Sequence, residues 1–222
     1  MYASRFGGKS AYRKRVWHEL CSFFAKWIPA GGTVLDLGCG HCEFINRVEC
    51  RQKFGMDLNP DSAESAAPEV KIIRQDCSDD WRVPACSLDV VFTSNFFEHL
   101  PSKTALERTL SQAYQALAPG GRIIALGPNI KYLPGHYWDF LDHYLPLTER
   151  SLSELLIKCG FRIELCLKQF LPYTMSDGKE YPMWMVRTYL AFPMAWPIFG
   201  KQYLIVASKP EGQGVRSEVS RA

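Results

Sequence analysis

The stretch from Val34 to Phe44, Val-Leu-Asp-Leu-Gly-Cys-Gly-His-Cys-Glu-Phe, limits what this chain can fold into more than any other. Thr33 to Leu37 is β-branched and apolar apart from one acid, the composition of a short buried strand. Gly38 and Gly40 follow; they permit backbone angles and a close ligand approach that a side chain would forbid. Glu43, Phe44 and Ile45 then open a helical pattern that the sequence carries to about Cys50. Strand, glycine turn and helix in that order place a ligand at the carboxyl edge of a parallel sheet. The third glycine of a dinucleotide fingerprint is absent, and Glu43 stands in its place. A pyrophosphate needs a helix N-terminus with no anion beside it. Asp36 and Glu43 instead suit a ligand that carries positive charge.

With 222 residues, 47% of them hydrophobic and 22% charged, the chain fits one α/β domain over 1–222. A domain of that size buries roughly 70–75% of its unfolded surface. The net charge of +3 is too small to point to a polyanion, and no nucleic acid partner is expected. Arg5, Lys9, Arg13, Lys14 and Arg15 precede the first acid, Glu19. That run reads as a solvated basic helix start, with a targeting peptide as the alternative. No apolar run reaches the roughly 18 residues of a membrane span. The eight cysteines lie mostly in apolar or motif contexts, which fits reduced, cytoplasmic usage rather than a disulfide framework.

In chain order, residues 1–9 are expected to be mobile, within an N-terminal helical segment over 1–29. Val16, Leu20, Phe23, Phe24 and Trp27 recur at helical spacing and predict a helix over Ser10–Trp27. Lys53–Leu58 reads as the second strand. Asp57 at its end lies about twenty residues past the first acid, where a carboxylate can accept both hydroxyls of a ribose; a helix N-cap before Pro60 is the alternative. Val70–Cys77 reads as the third strand with its loop, and Ser87–Asn95 as the fourth. A long amphipathic helix spans Ser102–Leu117, broken by Ala118-Pro-Gly-Gly121 ahead of a fifth strand, Arg122–Leu126. Residues 127–147 form a connection long enough to be functional. Thr148, or Ser151, caps a helix that runs to Cys159-Gly160, and Phe161–Phe170 is the sixth strand. The insertion 171–201 is punctuated by Pro172, Pro182, Pro193 and Pro197; it reads as a lid or contact surface with a short helix around Met183–Leu190. Tyr203–Ala207 is the seventh strand, and 211–222 is expected to be a flexible tail.

Asp36-Leu37-Gly38-Cys39-Gly40 resembles the first motif of the class I S-adenosylmethionine-dependent methyltransferases. Leu117-Ala118-Pro119-Gly120-Gly121 resembles their turn before the fifth strand. The resemblance covers residues 30–208 in element order. It implies a Rossmann-like α/β fold: a seven-stranded mixed sheet, strands one to six parallel and the seventh antiparallel, with helices on both faces. The implied cofactor is S-adenosyl-L-methionine, whose sulfonium and ammonium meet the charge requirement above, with S-adenosyl-L-homocysteine as product. The cofactor set it implies is Asp36, Gly38, Cys39, Gly40, Phe44, Asp57, Leu58 and Asn95. Asp76 and Cys77 meet the adenine, and Tyr12 and Arg13 on the preceding helix reach the carboxylate.

The same resemblance puts the acceptor beside Asn95–His99. Ser94-Asn95-Phe96-Phe97 lacks the two prolines of the DNA amino-methyltransferases, and the glutamate pair of the arginine methyltransferases is missing. Methyl transfer needs approach geometry, desolvation and a base where the nucleophile must lose a proton. Histidine titrates in the right range; His99 is the first candidate, then His143 and His136. Phe96, Tyr137, Trp138, Asp139 and Asp142 are the candidate acceptor contacts. Pro128-Asn129-Ile130 with Tyr132, and Tyr137 to His143, further resemble small bacterial methyltransferases of sugar, glycan and natural-product biosynthesis. The expected reaction is methyl transfer to oxygen or nitrogen of a small-molecule or saccharide acceptor. Peripheral contact with a lipid-linked acceptor and a homodimer are open alternatives.

Two rival readings remain. A methyltransferase-fold protein can bind the cofactor as a non-catalytic partner. Cys39-Gly40-His41-Cys42 is also the tetrapeptide of disulfide isomerases, which would make the chain a thiol–disulfide oxidoreductase. No metal is expected, because Cys39, His41 and Cys42 have no second ligand pair at fitting spacing.

Overall fold

The computed structural model describes residues 10–173 and 180–211. The expectations of a mobile 1–9 and a flexible tail concern residues outside these, Glu211 excepted. Seven strands form one sheet in the order β3-β2-β1-β4-β5-β7-β6. They are β1 (Thr33–Leu37), β2 (Gln52–Met56), β3 (Val70–Ile73), β4 (Leu88–Ser94), β5 (Leu117–Pro128), β6 (Arg162–Leu167) and β7 (Gln202–Ser208). Pairings among β1 to β5 are parallel, and β7 runs antiparallel to both β5 and β6. Six strands therefore point one way and the seventh against them, as the resemblance implies. The strand order reverses between β1 and β4, where such a sheet opens a crevice at its carboxyl edge.

Alternation along the strands divides the core into two layers. Leu35, Leu37, Val91, Ile123 and Ile205 face α3 (Lys103–Ala116) and α4 (Glu149–Lys158). Val34, Val90, Phe92, Ile124 and Val206 face α1 (Ser10–Phe24). All five residues of β1 are buried, and truncating a core leucine such as Leu35 to alanine costs about 2–5 kcal/mol. Two more helices are short: α2 (Asp61–Ser65), and α6 (Trp196–Phe199), which follows α5 (Met183–Ala191).

Local chemistry sets the boundaries. Ser102 caps α3 by accepting from the Ala105 N–H. Thr148 and Ser151 cap α4 reciprocally, so the two alternatives read from sequence act together. The helix expected from Glu43 to Cys50 is a run of turns instead. Cys42 takes φ +57°, and beyond it the Arg47 N–H bonds to the Phe44 carbonyl while the Glu43 carbonyl accepts from the Arg47 guanidinium, so no continuous helical ladder forms. The fifth strand is longer than expected because it begins at Leu117, with a register shift between Leu88 and Val90 on its partner. Residues 130–139 contain two 3-10 turns, Ile130–Tyr132 and His136–Asp139. The insertion docks on α1: Arg187 Nε donates to Glu19 at 2.9 Å, and the Tyr181 N–H donates to the Tyr12 hydroxyl at 3.0 Å.

Candidate functional site

Gly38 leaves β1 at φ +72°, and a Cβ there would sit 2.3 Å from the Phe96 ring. Only glycine fits beneath that ring. Gly40 also takes a left-handed angle, φ +48°, yet its missing Cβ would meet nothing within 4 Å. Its backbone borders open space. The Gly40 N–H donates to Asp57 Oδ2 at 2.8 Å, and the Asn59 N–H donates to Asp57 Oδ1 at 2.8 Å. Asp57 thus ties the glycine turn to the end of β2, with the remaining lone pairs of its carboxylate available.

A cavity of about 760 Å³ opens from this turn across the β1/β4 crevice. Asp36, Gly38, Cys39, Gly40, Phe44 and Asp57 line one end; Asn95, Phe96, Glu98, His99, Asp142 and His143 line the other. Burial drives the Asp36 carboxyl well above the usual carboxylate range, and nearby Cys42 adds to the rise against a hydrogen bond from the Ile45 N–H. A cationic ligand would reverse that penalty. Glu43 is paired with Arg13 at 2.5 Å, so its charge is compensated within the protein. Phe44 stacks on Phe92 at 3.7 Å between ring centroids. The open backbone at Gly40, the buried acid at Asp36 and the bidentate carboxylate at Asp57 fit a nucleoside with a cationic tail.

Other predicted residues lie elsewhere. Arg13 lines the cavity, but Tyr12 faces a second one, its hydroxyl taken by Tyr181. Leu58 is 58% exposed and outside the cavity wall. Asp76 is exposed in the β3 loop, where its Oδ1 accepts from the Ser78 N–H and hydroxyl; Cys77 is buried against α3, and burial raises its thiol to about 11. Tyr137 is fully buried, and its hydroxyl donates to the Leu145 carbonyl and accepts from the Leu147 N–H. It is a core residue that pins the 137–147 loop, not an acceptor contact. Trp138 is half-exposed, and His136 forms a surface pair with Asp139 at 2.9 Å; none of the three lines the cavity. Cys39 and Cys42 are buried, Cys42 fully, with its Sγ donating to the Ser62 carbonyl at 3.4 Å. The nucleophilic cysteine of a redox dithiol carries a lowered pKa, whereas a hydrogen bond with Cys42 and burial raise the Cys39 thiol, which counts against the disulfide-isomerase reading.

At the far end, His99 Nδ1 lies 2.8 Å from the Asp142 carbonyl oxygen. A carbonyl only accepts, so Nδ1 carries a proton, and in the neutral ring Nε2 holds the lone pair. His143 is buried, packed edge-on to His99 with ring centroids 4.9 Å apart. Sequence reading missed Glu98. It is 1% exposed, and neither carboxylate oxygen has a hydrogen-bond partner among the described residues. Burial pushes its carboxyl up to about 7 against the pull of His99. The available signal was an acid directly after two phenylalanines at the exit of a buried strand.

A second cavity, about 580 Å³ and mostly apolar, lies between α1 and the insertion. Val16, Leu20, Leu171, Trp184, Tyr189 and Leu190 are among its walls. The two cavities share Arg13, Trp17, Ser94, Asn95, Tyr173 and Gln202, so they meet at the end of β4.

The family model described as "Methyltransferase domain" matches residues 10–165. Among solved structures, a chain from the Haloferax volcanii complex of the Trm112 methyltransferase activator with a methyltransferase aligns with a TM-score of 0.69 at 17% identity, covering 94% of this chain and 96% of that one. A SAM-dependent methyltransferase from Archaeoglobus fulgidus aligns with a TM-score of 0.64 at 22% identity, covering 94% and 98%. One from Mesorhizobium loti aligns at 0.61 with 18% identity, covering 86% and 97%. No curated protein matches the chain. The fold is that of the Rossmann-like methyltransferases, and the chain belongs to the methyltransferase domain family of class I, S-adenosylmethionine-dependent enzymes. Its cofactor is S-adenosylmethionine and its product S-adenosylhomocysteine.

Proposed function

We propose that the chain methylates an oxygen or nitrogen of a small acceptor that has a polar head and an apolar arm. The observation that carries this reading is the junction of the two cavities at Ser94 and Asn95. One cavity ends in carboxylates and histidines. The other is walled by aliphatic and aromatic side chains, which favour an aromatic, prenyl or acyl arm over a bare saccharide. Trp184, Phe192 and Phe199 line this apolar cavity and are also exposed, which favours delivery of the acceptor from a lipid surface.

In this reading Gly38 and Gly40 receive the amino-acid tail of the cofactor, with Asp36 and Arg13 nearby. Asp57 holds the ribose hydroxyls. The adenine extends toward the β3 loop, past Leu58 to Asp76 and Cys77. When bound, the cofactor supplies a methyl group already activated by its sulfonium. The chain supplies the rest. Asn95 and Phe96 confine the acceptor head, Trp17 and Phe44 exclude water, and His99 Nε2 takes the proton the nucleophile loses.

Calorimetry with S-adenosylhomocysteine tests the first half; no heat from folded protein would end the reading. Transfer of a labelled methyl group, compared between apolar-armed alcohols or amines and free sugars, tests the second. His99→Ala is expected to lower turnover by about 10²-fold or more and to spare cofactor affinity. Full activity in that variant would remove His99 from the chemistry.

A further inference from the structure

We infer that Glu98, His99 and His143 form a binding site for a first-row divalent transition-metal ion, of the zinc type, at the acceptor end of the main cavity. One potential ligand atom from each residue lies within 4.8 Å of the other two. All three residues line the cavity, so an ion held there would face the acceptor. A tetrahedral ion with bonds of about 2.0–2.1 Å needs ligand atoms roughly 3.3 Å apart, so the side chains draw in by about 1 Å on binding.

Two independent features point to a ligand. The Glu98 carboxylate is buried beneath the cavity wall, turned toward His99 Nε2, and without a hydrogen-bond partner among the described residues. A protein rarely leaves both oxygens of a buried carboxylate unmatched unless something else meets them. His99 is also held as metal-binding histidines are held: Nδ1–H donates to a backbone carbonyl, and Nε2 points toward Glu98, 4.0 Å from Oε1. Asp142 Oδ2, 3.7 Å from His99 Nδ1, supplies a further outer partner. Tyr137 and Phe140 pack on the His143 ring at 4.9 and 5.1 Å between centroids and fix its plane. Two imidazoles and one carboxylate select zinc, iron, cobalt or nickel over magnesium or calcium, which want all-oxygen shells. Three protein ligands leave a coordination position open toward the cavity.

The consequence for catalysis rests on the function proposed above. With the ion bound, His99 Nε2 is a ligand and not the base. An acceptor hydroxyl on the ion gives its proton to water, and its oxygen forms a bond to the methyl carbon as the carbon–sulfur bond breaks. The bonding pair stays on the sulfur of the departing thioether.

The test uses the full chain, stripped with a chelator and titrated with Zn²⁺ by calorimetry and with Co²⁺ by visible absorption. One equivalent is expected to bind, with cobalt d–d bands and no thiolate charge-transfer band. His143→Ala and Glu98→Gln are each expected to weaken binding by roughly 100-fold or more. Absent stoichiometric binding, unchanged affinity in both variants, or a thiolate band from Cys39 and Cys42 would overturn the site. Should the variants not fold, anomalous diffraction from wild-type crystals grown with Zn²⁺ decides: a peak among the three side chains supports the site, and its absence refutes it. S-adenosylhomocysteine binding is measured alongside. Its loss with metal binding intact would strike the cofactor reading alone, and the reverse result would strike the metal site alone.

Discussion

Replacing Asp57 by asparagine changes one atom, yet it should disturb both the fold and the cofactor site. Asp57 accepts two backbone N–H groups, Gly40 on Oδ2 and Asn59 on Oδ1, both at 2.8 Å. Asparagine has one carbonyl oxygen, so its amide N–H₂ must face one of those donors. The loss is one charge-assisted hydrogen bond, about 1.5–3 kcal/mol. Asp57 is partly exposed, which favours the lower end, about 1.5–2 kcal/mol. For a domain of this size that corresponds to roughly 3–8 °C in Tm. Ribose hydroxyls compete for the same reduced acceptor set, so cofactor affinity should fall by roughly 10–30-fold. Differential scanning calorimetry and titration with S-adenosylhomocysteine read the two effects on one preparation. If both Tm and Kd match the wild type, Asp57 neither braces the glycine turn nor holds the sugar, and the reasoning fails.

The two glycines of the turn should respond oppositely to alanine. Gly38→Ala adds left-handed strain of about 1–2 kcal/mol and drives a methyl group into the Phe96 ring, so the urea midpoint should fall well below that of Gly40→Ala. Gly40→Ala meets no protein atom and should instead show its larger effect on S-adenosylhomocysteine affinity; equal stability losses would refute the assignment. Burial raises the Glu149 carboxyl, but hydrogen bonds from Lys131 at 2.6 Å and Asn129 at 2.7 Å outweigh it and hold the group below its ordinary value. A depressed carboxylate stabilises the fold above its unfolded pKa and loses that contribution as pH falls below about 4.5. Glu149→Gln should therefore be less stable at neutral pH and show a shallower acid limb in urea titrations; parallel limbs would count against the triad. Val16→Trp should fill the apolar cavity and abolish fluorescence enhancement of an anilinonaphthalene dye while cofactor binding persists. A dye signal equal to wild type would mean the cavity is not accessible in solution.

Much of the fold was legible because its signals are local. The apolar run of β1, the Gly38 and Gly40 angles and the Thr148–Ser151 cap each depend on residues within a few positions of one another. The misreadings share one cause. Glu43 to Cys50 has helical composition, but the Glu43 carbonyl is taken by the Arg47 side chain and the Arg47 N–H by the Phe44 carbonyl, so the segment stays a run of turns. Tyr137 looks like a binding aromatic in sequence, and only the packing of 137–147 against the β4 exit makes it a core residue. The family resemblance aims Tyr12 at the cofactor carboxylate, yet the insertion captures its hydroxyl.

The sequence by itself determined the glycine-turn end of the cavity. A strand, a glycine turn and an acid closing the next strand are short-range patterns whose relative positions parallel pairing makes inevitable. Only the tertiary structure decided the far end. His99 and Asp142 stand 43 positions apart, and no periodicity announces that their loops meet. Glu98 reads as an ordinary polar residue until the chain closes over it. Burial and proximity across long sequence separations turn that glutamate and two histidines into a chemical unit.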